Sequence, residues 1–153
     1  MGINWGAFKQ TIMRYNAAAS AAGAGCPSSA QKAAAVTAAY VTAISTATDN
    51  MYGNVPIAYN PAALEGSLNA AYTACFATTT AIEVNAIMMQ ALTSGCIGFW
   101  TGAQLAMLIP PTGSFQVLTN PVIVPGVAVS YSHPLVTSNP TAEEEAIALA
   151  TAF

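Results

Sequence analysis

The chain has 153 residues, 54% of them hydrophobic, and only 6% charged, against about 25% in an ordinary soluble domain. Its formal net charge is -3 and its basic residues are Lys9, Arg14 and Lys32 alone, too few to neutralise a run of phosphates, so nucleic-acid binding is excluded. The length suits one domain, so residues 1–153 are expected to form a single unit. Its surface must be uncharged but polar, or covered by lipid, or covered by other subunits.

The opening stretch MGINWGAFK lacks the basic start and continuous apolar core of a secretory signal. Gly2 fits a myristoylation pattern, but Gly6 stands where Ser or Thr is wanted. From about Asn4 to Ala22, Trp5, Phe8, Ile12 and Tyr15 recur at helical spacing, with Lys9 and Arg14 off that face. AGAGCP then breaks the helix.

Ser28 and Gln31 form a capping-box pattern ahead of AQKAAAVTAAYVTAISTATDN. Val36, Tyr40, Ala43 or Ile44, Ala47 and Met51 make its stripe, and Gly53 is the expected stop. The remainder of this helix is mostly Ala and Thr, which lets neighbours approach closely.

Asn60 followed by Pro61 predicts a third helix, with a side-chain cap and a proline in its first turn. One continuous helix is expected to Ser94, with Leu64, Leu68, Tyr72, Cys75, Thr79, Ile82, Ala86 and Met89 along one face. Phe76, Val84, Ile87 and Met88 mark a second covered face. Gly95 and Gly98 are expected to interrupt it, leaving a short apolar segment, AQLAMLI, ended by Pro110-Pro111.

Val84 to Ala142 holds no Lys, Arg, Asp or Glu. Within it, Ala86–Ile109 is long enough to cross a hydrocarbon core of about 30 Å at about 1.5 Å per residue. GFWTG adds a small-x-x-x-small spacing used where membrane helices touch. Gln90, Thr93, Ser94, Thr101 and Gln104 interrupt the run, and no Lys or Arg flanks it to anchor or orient a span. Burial by protein is therefore the expectation, and a small membrane-inserted, holin-like protein the alternative.

Beyond PPTG the pattern changes to period two. Phe115, Val117 and Thr119 alternate with Gln116 and Leu118, and Val127, Val129 and Tyr131 alternate with Ala128 and Ser130, which predicts short strands. Asn120-Pro121 and Pro125-Gly126 punctuate them. Asn139-Pro140-Thr141 opens a short last helix whose Glu143, Glu144 and Glu145 sit where the helix dipole favours negative charge. The expected fold class is thus α+β: a helical part over 1–109, a small antiparallel strand and loop part over 110–138, and a C-terminal helix over 139–153.

A catalytic constellation does not emerge, and no catalytic, cofactor-binding or metal-ligating residue is assigned. His133 precedes Pro134 in an expected loop, without a nucleophile or carboxylate beside it. Glu65 and Glu83, if on one helix, stand about 27 Å apart along its axis, too far to act on one bond. Cys26, Cys75 and Cys96 contain no C-x-x-C pair and read as free thiols in apolar surroundings. Phosphate-loop, nucleophile-elbow and zinc-helix motifs are absent. The chain is expected not to be an enzyme and to need no cofactor.

The order of elements is informative: charge-poor Ala/Thr helices, then GFWTGAQLAMLIPPTG, then VLTNPVIVPG, then a short capped helix. In this general style the chain resembles the small virion structural proteins of tailed bacteriophages, particularly tail, neck and baseplate subunits. The resemblance implies a homo-oligomeric subunit in contact with other virion proteins, and carries no residue roles. A carbohydrate-binding surface module is a further alternative, for which Trp100, Phe99 and Tyr131 are the aromatics to consider.

Overall fold

Asn4 starts the first helix by two devices. Its side-chain Oδ1 accepts from the Ala7 N–H at 3.0 Å, while its own N–H donates to the Ala43 carbonyl at 3.0 Å, tying the entry of one helix to the end of the next. The computed structural model describes residues 3–21, 27–45, 47, 55–78, 80–106 and 115–117. Among these, helix α1 runs Trp5–Ala21, α2 Ser29–Ile44, α3 Pro61–Phe76 and α4 Ala81–Trp100. Strands β1 (Val55–Ala58), β2 (Gln104–Ala106) and β3 (Phe115–Val117) complete the elements.

The expected stripe of α1 is the face that packs: Phe8 and Ile12 are buried, and Trp5 is partly buried against the same core. In α2 the capping box is present in both directions. The Gln31 N–H donates to Ser28 Oγ at 3.2 Å and the Ser28 N–H to Gln31 Oε1 at 2.9 Å. Val36, Tyr40, Ala43 and Ile44 are buried, with Ala33 and Ala39 letting the neighbours close in. The helix ends sooner than the expected continuation toward Asn50, because Ser45 donates its hydroxyl to the Thr42 carbonyl at 2.7 Å and supplies the terminal turn with a local alternative. Met51 and Gly53 lie outside the described residues.

The single helix expected from Asn60 to Ser94 is instead two. α3 starts as read, with Asn60 Oδ1 accepting from the Ala63 N–H at 3.3 Å and Pro61 in the first turn. It stops at Phe76, and Thr80 caps a new helix by accepting from the Glu83 N–H at 3.4 Å. α4 then runs through Gly95 and Gly98, which were expected to interrupt it, and ends at Trp100.

Close packing explains why α4 keeps both glycines. A Cβ on Gly95 would stand 2.9 Å from Leu64 Cδ1 and 3.3 Å from Leu64 Cα, and one on Gly98 would stand 2.8 Å from the Ala63 Cβ. The cost of about 1 kcal/mol for each glycine in a helix is offset by the close approach it permits. The C-terminal end of α4 thus lies on the N-terminal end of α3, an antiparallel hairpin.

Packing proceeds in chain order, α1 on α2, α2 on α3 and α3 on α4. The shared core is Phe8, Ile12, Val36, Tyr40, Ile44, Leu64, Leu68, Met88, Leu92 and Phe99 with several alanines. Each fully buried large side chain contributes about 1.5–3 kcal/mol.

The expectation of an α+β architecture is corrected: the described residues are predominantly helical. Among the described residues the extended part consists of strands of three or four residues in the antiparallel order β1-β2-β3, too short to form a layer that covers the helices. β2 falls in AQLAMLI, expected from the sequence to belong to the helical region, and β1 lies ahead of the Asn60 cap, where no strand was expected. Pro56 cannot donate to a ladder, which suits the outer position of β1, and the register shifts between Pro56 and Ala58. Gly102, at φ 74°, makes the left-handed turn that takes the chain from α4 into β2. Of the strands expected over 110–138, Phe115–Val117 is present; Val127–Tyr131 and the C-terminal helix of 139–153 lie outside the described residues.

Candidate functional site

Among the described residues six aromatic rings close one end of the bundle. Tyr40 of α2 meets Phe99 edge-on at 5.1 Å, and Trp5 of α1 approaches Tyr40 at 6.3 Å and Phe8 edge-on at 5.8 Å. Tyr59 stacks on Phe99 at 4.9 Å with its plane tilted by 13°, and Trp100 packs edge-on against Phe99 at 5.1 Å. Such pairs contribute about 0.5–1.5 kcal/mol each beyond the area they bury. The Trp100 indole N–H donates to the Tyr40 hydroxyl at 3.0 Å, and the Asn60 N–H donates to the Phe99 carbonyl at 3.0 Å. The cluster therefore fixes α1, α2, α4 and the start of α3 to one another, at the end from which the strands leave.

Burial controls the titratable groups here. The Cys96 thiol is pushed from its ordinary 9.0 up to about 12 by removal from water. Tyr40 is raised by burial first and by neighbouring Cys96 second, with the Trp100 hydrogen bond pulling the other way. Cys75 is half-buried and also raised, again by burial, with nearby Lys32 opposing. Protonated thiols with raised pKa are poor nucleophiles, so these positions fit packing better than covalent chemistry. Cys26 lies outside the described residues.

Among the described residues the acidic side chains are not brought together. Glu65 and Glu83 are exposed, on different helices, near the first turns of two antiparallel partners and hence at opposite ends of the α3/α4 hairpin. Among the described residues no three of His, Cys, Asp and Glu are grouped to hold a metal ion. His133 and Glu143–Glu145 lie outside the described residues. Of the aromatics considered for sugar contact, Phe99 is fully buried, Trp100 is half-buried with its indole N–H engaged by Tyr40, and Tyr131 is outside the described residues.

The surface that stands out is the outer face of α4. Ile82 is 82% exposed and Ile97 37% exposed. Ala86 and Gln90 between them are exposed and Thr93 is half-buried. Glu83 is the one charged residue of this 20-residue helix. Phe76, at the end of α3, is 62% exposed as well.

This face is hidden in the sequence when α3 and α4 are read as one helix. Thr80-x-x-Glu83 has the spacing of a capping box and is the available signal for the break. Among the described residues no helix is long and apolar enough to cross a membrane. No family model, curated protein or solved structure matches this chain.

Proposed function

We propose that this chain is a structural subunit of a bacteriophage particle, placed in the tail, neck or baseplate, whose work is to pack against copies of itself and against other virion proteins. The observation that carries the reading is the outer face of α4: a run of Ile82, Ala86, Gln90 and Ile97 presented outward on a helix with a single charged residue. An isolated domain gains nothing from such a face, whereas a subunit surrounded by others buries it. The chain-wide scarcity of charge supports the same reading, since charged residues are depleted at the cores of interfaces. The aromatic end of the bundle gives each copy a rigid frame on which to present that face.

Sedimentation velocity of the untagged protein in detergent-free buffer tests it. A large discrete species is the expected result, and particles of one size by electron microscopy would accompany it. A compact monomer at micromolar concentration overturns the proposal, and a protein that enters solution only with detergent replaces it with the membrane-inserted alternative.

A further inference from the structure

We draw no further inference here: the strongest candidate, the side-chain cluster of Lys32, Tyr72 and Cys75 where the start of α2 meets the end of α3, rests on a lone half-buried cysteine with no second observation that points to a ligand.

Discussion

Replacing Gly95 by alanine tests a close approach between α4 and α3. Alanine in a helix interior is favoured over glycine by about 1 kcal/mol, so propensity alone predicts a more stable protein. The new methyl group would meet Leu64 Cδ1 at 2.9 Å, Ser67 Cβ at 3.1 Å and Leu64 Cα at 3.3 Å. The Leu64 side chain is itself fully buried and has little room to retreat, and because the main chain of Leu64 also stands in the way, the two helices must move apart. Overpacking of this kind costs about 1–3 kcal/mol, so Gly95→Ala is expected to lower stability by on the order of 1 kcal/mol after the propensity gain is included. Gly66 provides the control, because it is exposed on α3 and a Cβ there meets nothing within 4 Å. Gly66→Ala is expected to raise stability by about 0.5–1 kcal/mol. Urea unfolding followed by circular dichroism, with the two midpoints compared, measures the difference in sign. If Gly95→Ala is as stabilising as Gly66→Ala, the close approach of α4 to Leu64 is refuted, and with it the explanation of why α4 carries its glycines.

Thr80→Ala removes the acceptor for the Glu83 N–H and is expected to cost about 1 kcal/mol, read as a lower urea midpoint, whereas Thr80→Asp, which keeps an acceptor, should retain most of the stability. Cys96 carries a pH dependence with a definite sign: its folded-state value is raised, so its contribution is fully present below 9.0 and declines as pH rises from there toward about 12. Cys96→Ala is therefore expected to show a shallower loss of stability across that alkaline interval than the parent chain, and equal slopes would contradict burial of the thiol. In the native protein at neutral pH, a thiol reagent is expected to modify half-buried Cys75 well before buried Cys96, with Cys96 reacting on unfolding.

Local devices are legible in the sequence wherever one short motif completes itself. Ser28 with Gln31, and Asn60 with Pro61, start their helices as the spacing predicts, because a cap needs only neighbours in the chain. Phe8, Ile12, Val36, Tyr40, Leu64 and Leu68 are buried along the stripes that helical periodicity indicates. The break between Phe76 and Ala81 shows where periodicity fails. The apolar pattern runs through this segment almost in phase, so it assigns Ile82 and Ala86 to the packed face of a longer helix. A break of a few residues resets the rotation of the next helix, and both point outward.

Composition and pattern by themselves determined the scarcity of charge, the caps of α2 and α3, and which residues of α1 and α2 form the core. These follow from residue counts and from interactions within one or two turns. Tertiary structure alone decided that Gly95 and Gly98 belong inside a helix, since their reason is the nearness of Leu64 and Ala63, about thirty residues earlier in the chain. It also decided that, among the described residues, six aromatics converge on one end of the bundle and Ile82, Ala86 and Gln90 of α4 are exposed. The physical reason is the same in each case: a helix's own period says which residues share a face, but only the neighbour packed against it decides which face is inside.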